Sequence, residues 1–443
     1  MNEIKMISGF SRLSKEQKIS LVASGTIHPG ASEQTLKSFW NDDPDIQKLF
    51  DEFSENTLTN YYFPYGIAPN VMINGKMYMV PMVIEESSVI AAASNSAKYW
   101  ASRGGFHSEV VSTIKIGQVH FIWNGDFELL KQHFPQLRLL LLARTGVITA
   151  NMEDRGGGVL DMELLDFTSE LEGYYQLKVK FDTRDSMGAN FINSCLEEYA
   201  TGLREFVQES GFFPAGSLNI IMSILSNYTP ECLVKTWIEC DVSELSGIDE
   251  SLSGEAFAWK FEKAVQIADI DVHRAATHNK GIFNGIDSVA LATGNDFRAL
   301  EACGHAWAAR DGRYKSLTQV KIENGRFIYS LTIPLAIGTV GGLTSLHPMA
   351  KFSLQLLHNP GATELMQIAS TMGLANNFSA IKSLTTKGIQ LGHMKMHLLN
   401  ILNIYKATEE EKTAAVEYFK HHKVSHNVVA SFMHSLRNGQ SKI

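Results

Sequence analysis

At 443 residues with a formal net charge of −8, the chain is long enough for two or three domains around a large core. The acidic balance argues against a nucleic-acid binder, and plentiful glycine with sparse proline argues for an ordinary globular protein over a disordered one. The four cysteines, Cys195, Cys232, Cys240 and Cys303, show no CxxC spacing and read as reduced cytoplasmic thiols; the polar start MNEIKMISGF is unlike a signal peptide, and no apolar run approaches the ~18 residues of a membrane helix.

Residues 1 to 60 read as helical segments, with Ser14 placed to cap KEQKISLVASG. The run YYFPYGIAPNVMINGKMYMVPMVIEE alternates apolar and polar residues about Asn74-Gly75, which predicts a hairpin. It ends in Glu85-Glu86 and passes straight into SSVIAAASNSAKYWASRGG, a helix starting at Ser87. Glu86 therefore falls at a strand-to-helix junction. Adjacent carboxylates there serve either as capping charges or as part of a site.

From about residue 111 to 227 the texture changes. TIKIGQVHFIWNG reads as a strand. DFELLKQHFPQLRLLLLA reads as a helix that Pro135 should break or kink. VLDMELLDF and YYQLKVKFDT form a strand pair, DSMGANFINSCLEEYATGLREFVQES a helix, and LNIIMSILSN a last strand. The order β-α-β-β-α-β is the ferredoxin-like pattern, expected as a separate small domain. No GxGxxG follows a strand, which disfavours a Rossmann fold. DSMGAN, Asp185 to Asn190, opens the second helix, where a glycine lets backbone amides meet an anion; an ordinary helix start capped by Asp185 accounts for it equally.

Residues 228 to 273 are expected to be mostly helical. Then comes RAATHNKGIFNGIDSVALATGNDFR, with Lys280 predicted in a glycine-flanked loop and a β-type run from Ser288 to Thr293 stopped by Gly294-Asn295-Asp296. A cation, amide donors and a terminal carboxylate suit an anionic substrate and charge on a carbonyl oxygen. Equally, they describe a surface lysine and a turn aspartate. PLAIGTVGGLTSLHP, Pro334 to Pro348, reads as a tight backbone passage. KGIQLGHMKMHLLNILNIY and the segments after it give amphipathic helices. His393 and His397 lie four apart, a spacing zinc accepts, but without HExxH.

The wording of these stretches resembles 3-hydroxy-3-methylglutaryl-CoA (HMG-CoA) reductase in its soluble bacterial (class II) form. The resemblance runs through EESSVIAAAS, GGG at 156–158, DSMGANFIN, THNKGIFNGI, ATGNDFRALEA and GHMKMH in family order, from about residue 50 to 400. It implies catalytic roles for Glu86, Lys280, Asp296 and His393; substrate contacts from Ser88, Arg274 and Asn284; and cofactor contacts from Asp185, Met187, Gly188, Asn190 and Asn227. Ser87 replaces the usual proline of the first motif. The implied architecture is α+β: a large, mostly helical HMG-CoA-binding domain (1–110 and 228–385), an inserted ferredoxin-like NAD(P)-binding domain (111–227), and a helical C-terminal flap (386–443). Active sites between subunits of a homodimer or higher oligomer are implied as well, with no metal.

The chemistry agrees with that resemblance. Reducing a thioester to an alcohol takes two hydride transfers, each placing negative charge on the substrate oxygen, which Lys280 is suited to meet. The departing CoA thiolate needs an acid, and an imidazolium at His393 fits. Glu86, its pKa raised by burial, supplies the second proton, with Asp296 holding Lys280 and tuning Glu86. Two other readings are a CoA-binding protein without catalysis and a zinc hydrolase using His393 and His397. For the cofactor, family members that prefer NADH carry an Asp where this chain has Thr149. The absence of that carboxylate from TGVITANMEDRGGG leans the expectation to NADPH over NADH. Whether mevalonate is made or degraded is not written in these residues.

Overall fold

The computed structural model describes residues 6–386 and 398–438. Contacts divide the chain into two compact units, Met1–Pro64 and Tyr65–Ile443. The first is helical: α1 (Lys15–Ser24), α2 (Pro29–Ser38) and α3 (Pro44–Glu52). Ser14 and Gln17 form a reciprocal capping box at the start of α1. Lys15 Nζ pairs with Asp51 at 2.7 Å and lies over the Trp40 ring.

The second unit opens with the expected hairpin, β1 (Tyr65–Ile73) and β2 (Lys76–Val83). Asn74 and Gly75 both take positive φ, 50° and 79°, as a two-residue hairpin turn of the primed type requires. Helix α4 (Ser87–Ala101) follows at once. An antiparallel sheet in the order β5-β6-β4-β7 is built from β4 (Lys115–Trp123), β5 (Gly158–Asp166), β6 (Tyr174–Asp182) and β7 (Leu218–Leu225), with α5 (Phe127–Glu153) after β4 and α6 (Ala189–Glu209) after β6. Helix and strand thus alternate as β-α-β-β-α-β. Val119, Phe121, Leu177, Val179, Leu196 and Leu203 are fully buried in its own core. Pro135 does not end α5, which runs on to Glu153; as the ninth helical residue it forgoes a single backbone bond, to the Lys131 carbonyl, and the helix continues on either side.

The other four-stranded sheet has the order β3-β8-β10-β9, from β3 (His107–Val110), β8 (Leu233–Asp241), β9 (Thr318–Glu323) and β10 (Arg326–Pro334). Strand β8 lies in a region expected to be mostly helical; its burial alternates along LVKTWIECD, a period-2 signal blurred by a polar Thr236 on the inward phase and an apolar Trp237 on the outward one. Helices α7 (Gly254–Ile270), α8 (Val272–Ala292), α9 (Phe297–Ala308) and α12 (Ala362–Thr385) belong to the same core. Between them come α10 (Gly342–Leu346) and α11 (Pro348–Leu356).

The expected β-run Ser288–Thr293 is instead the last part of α8, and Lys280 is helical, not in a loop. Packing explains the reversal. A Cβ at Gly285 would stand 2.1 Å from the Met372 carbonyl, so α8 and α12 cross at glycine distance, and that burial outweighs β-propensity. Ser288 and Thr293 return their hydroxyls to the carbonyls of Asn284 and Val289, both at 2.8 Å. Gly294, φ 73°, ends the helix as expected.

Residues 398–404 are helical, followed by helices Glu409–Tyr418 and His426–Arg437, around a small core of Leu402, Ala415, Phe419 and Val429. Among the described residues no helix is long and apolar enough to cross a membrane.

Candidate active site

A cleft of ≈ 400 Å³ lies between α4, α8 and α12. Helix α4 gives Glu86 and Ser88 at its start and Asn95 further on. Helix α8 gives Arg274, Lys280 and Asn284, the last two four apart on one face and Arg274 about 120° around the helix from Lys280. Helix α12 closes the wall with Asn376, Asn377, Ser379 and Lys382. Ser379 Oγ donates to the Ala92 carbonyl at 2.7 Å, and Asn377 Nδ2 to the His278 carbonyl at 2.8 Å, pinning α12 to both neighbours.

Glu86 is the residue before α4, yet its side chain does not cap that helix. Its carboxylate accepts from Ser88 Oγ at 2.6 Å and from Lys280 Nζ at 3.2 Å. The capping reading is thereby excluded for Glu86. Asp296 answers the other way. It caps α9 through the amides of Arg298 (3.0 Å) and Ala299 (3.3 Å), and the Arg298 guanidinium takes both its oxygens. It is not among the residues lining the cleft. The partner of Lys280 is Glu86, not Asp296 as the sequence suggested.

Arg274 is half-buried and, among the described residues, its guanidinium has no hydrogen-bond or ion-pair partner. Burial lowers its pKa. Burial first, and Arg274 second, push His278 down to about 3, so this ring is a neutral wall, bonded through Nε2 to Thr318 Oγ1 at 2.6 Å. Helix α12 runs antiparallel to α8, since Gly285 meets Met372 and Gly281 meets Asn377. Arg274 consequently falls toward the end of the cleft where α12 presents Lys382, which reaches Asn95 at 3.4 Å. With Arg274, Lys280 and Lys382 against the single carboxylate of Glu86 among the described lining residues, the cleft favours an anion with a carbonyl to be polarised.

The second set of predicted residues gathers where the β4-β6 sheet meets the α12 core. Gly188 precedes α6 at φ 90°, and no side chain caps that helix; its first amides stay available to an anion or a polar ligand. A Cβ at Gly188 would lie 2.5 Å from the Thr183 side chain. Gly157 packs at 2.6 Å, by the same measure, from the Asp182 carbonyl, and Arg184 donates to the Gly156 carbonyl, which brings the GGG segment onto the DSMGAN turn. Met187 and Asn227 line one small cavity, and Asn190 is exposed. Asp185 is engaged structurally: its Oδ1 accepts from Ala362 N at 2.7 Å, where α12 begins, and its carbonyl from Thr339 N at 2.7 Å. The Pro334–Pro348 passage is as tight as expected. A Cβ at Gly338 would lie 2.4 Å from Met187 N, while Gly338 N donates to Asn295 Oδ1 at 2.8 Å. The GND turn and the DSMGAN turn are thus two ends of one backbone clasp.

Thr149 is not a loop residue able to meet a ribose. It lies inside α5 and is 2 % exposed. The cofactor argument built on that side chain fails; α5 runs to Glu153, with Asp154 as its C-cap. His393 and His397 lie outside the described residues. Two cations went unnoticed in the sequence. Lys382 sits in a long apolar helix without a motif. Lys115 did carry a signal, because the alternation of β4 places it on the inward phase with Gly117, Val119 and Phe121.

The chain matches the family model described as hydroxymethylglutaryl-coenzyme A reductase over residues 15–398. It is 34% identical to the 3-hydroxy-3-methylglutaryl-coenzyme A reductase of Archaeoglobus fulgidus over 417 residues, 93% of this chain and 90% of that one. It is 32% identical to a probable reductase of Borreliella burgdorferi over 91% and 90% of the two chains. Among solved structures, the class II reductase of Streptococcus pneumoniae bound to NADPH in open conformations is similar at a TM-score of 0.71 and 35% identity, covering 86% of this chain and 100% of that one. The motifs in their order, the cleft that gathers Glu86, Ser88, Lys280 and Arg274, and these likenesses agree: the chain belongs to the hydroxymethylglutaryl-coenzyme A reductase family.

Proposed function

We propose that the protein interconverts HMG-CoA with mevalonate and CoA, using two equivalents of NADPH. The observation that carries this reading is a half-buried arginine, Arg274, whose guanidinium has no partner among the described residues, in the same cleft as the Lys280–Glu86 pair. A substrate with a carboxylate at one end and a reducible carbonyl a few ångströms away matches it: Arg274 and Lys280 are six residues apart on one helix, ~9 Å of rise. Ser88 and Asn284 add donors along the wall.

In this reading Arg274 holds the acyl carboxylate, for which a planar guanidinium is the natural partner. Lys280 stands at the carbonyl oxygen and meets the charge that develops there. Glu86 delivers the proton to that oxygen at the aldehyde stage, and His393 protonates the departing thiolate. Asp296 would join Lys280 by sharing its carboxylate with Arg298 or by exchanging that contact. Met187, Gly188, Asn190 and Asn227 would hold the dinucleotide, which supplies hydride when bound; the uncapped start of α6 and the missing Cβ at Gly188 fit such a group. Asp185 acts beside them by clamping the turn to α12. The preference for NADPH rests on the pneumococcal relative, not on Thr149.

The β-α-β-β-α-β module is read here as a ferredoxin-like cofactor domain, the α8–α12 core as the substrate domain, and the helices after residue 398 as a flap closing over the cleft of a homodimer. Free, buried cysteines support a cytoplasmic protein. A CoA-binding protein without catalysis does not account for Lys280 and Glu86 facing each other in the cleft. The test is NADPH oxidation with HMG-CoA against acetyl-CoA, which lacks the carboxylate. Turnover with the first alone is expected, and equal rates would overturn the reading.

A further inference from the structure

Lys115 is 3 % exposed, and no carboxylate stands within ion-pair distance of it among the described residues. Burying an ammonium without a paired charge is costly, and strand β4 has an apolar residue at each of its other large inward positions. Among the described residues the one hydrogen bond of the Lys115 ammonium runs to Thr183 Oγ1 at 2.7 Å. That hydroxyl spends its proton on the Ser186 carbonyl at 2.6 Å, and Ser186 Oγ in turn accepts from Gly188 N at 3.0 Å. Lys115 is therefore the first link of a chain that ends at the residue before α6. The same ammonium lines a small cavity with Met187, Ser226, Asn227 and Thr229, between the two segments assigned to the cofactor. Burial lowers its pKa, and Cys232, Asp182 and Asp185 oppose that fall.

We propose that Lys115 is a positioning residue for the dinucleotide cofactor: from beneath the Thr183–Gly188 turn it fixes the backbone that presents the open amides of α6, and sets Asn227 opposite them. This rests on the reading of residues 185–190 and 227 as the cofactor site. Core packing alone does not account for it, because an unbranched apolar side chain fills the same volume without burying a charge.

The experiment is steady-state kinetics of Lys115→Met in the full-length protein, beside Asn190→Ala as a probe of the site. The expected result is a KM for NADPH raised about tenfold in Lys115→Met, with KM for HMG-CoA within about twofold and a melting temperature equal to or above that of the native chain. Thr183→Val keeps the side-chain shape and removes the middle hydroxyl, so it reads the same chain if Lys115→Met does not fold. An unchanged KM for NADPH in Lys115→Met, or in Thr183→Val where that variant stands in, overturns the inference, as does a parallel loss of both KM values and stability. If Asn190→Ala raises KM for NADPH while Lys115→Met does not, only Lys115 is misassigned. If neither changes it, the cofactor site itself is misplaced.

Discussion

Lys280 Nζ stands 3.2 Å from Glu86 Oε2 across 194 positions of sequence. One residue comes from the middle of a helix and the other from the junction between a hairpin and a helix, so nothing local holds them together. The glycine crossing of α8 on α12 and the start of α4 do. Both side chains are partly exposed, Lys280 at 64% and Glu86 at 37%, and a pair this open contributes only about 0–1 kcal/mol to stability. In the proposed mechanism its value lies in chemistry.

Lys280→Ala should accordingly leave the melting temperature almost unchanged while kcat falls by about 10²–10³-fold or more, the usual cost of removing an oxyanion partner. Thermal denaturation and initial rates on one preparation check it. Near-normal turnover would remove Lys280 from the mechanism.

His393→Gln separates the two halves of the reaction. Free mevaldehyde has no thiolate to protonate, so its reduction should survive in a variant that no longer reduces HMG-CoA. Equal loss of both activities would show that His393 is not the acid for CoA.

Gly285→Ala places a methyl where the Met372 carbonyl already stands. Backbone cannot step aside as a flexible side chain does, so about 2–4 kcal/mol of destabilisation is expected. Because α8 carries Arg274 and Lys280, kcat should fall with it. A denaturant titration with an unshifted midpoint would contradict the tight crossing.

Asp287 on α8 has its Oδ1 buried without a partner among the described residues. Burial first, and then Glu301, push its carboxyl from the ordinary 3.8 up to about 8. The folded state holds this proton more tightly than the unfolded state. Its contribution to stability is therefore complete below about pH 4 and is lost as pH rises toward 8. Asp287→Asn, a neutral isostere of the protonated acid, should flatten the decline of melting temperature over that window. An identical slope in native and variant protein would show that Asp287 is not its source.

The sequence made some of this legible and concealed the rest for definite reasons. The hairpin at Asn74-Gly75, the cap at Ser14 and the β-α-β-β-α-β order rest on local turn chemistry and period-2 alternation, and all appear in the structure. Residues 280–293 misled because glycine and β-branched residues signal loop and strand locally, whereas here they serve a close helix crossing. Glu86 and Asp296 each stand immediately before a helix, α4 and α9. Only the fold shows that one turns into the cleft and the other caps its helix and binds Arg298. Lys382 has no motif, and its place in the cleft follows from how α12 lies against α4.

The most direct test of the central claim is the stoichiometry of a single complete reaction. Purified protein is given limiting HMG-CoA with excess NADPH, and both NADPH consumed and CoA thiol released are counted. The arrangement of Lys280, Glu86 and Arg274 around one carbonyl predicts two NADPH per thiol, with mevalonate as the product. One NADPH per thiol, or thiol released without any NADPH consumed, would contradict it.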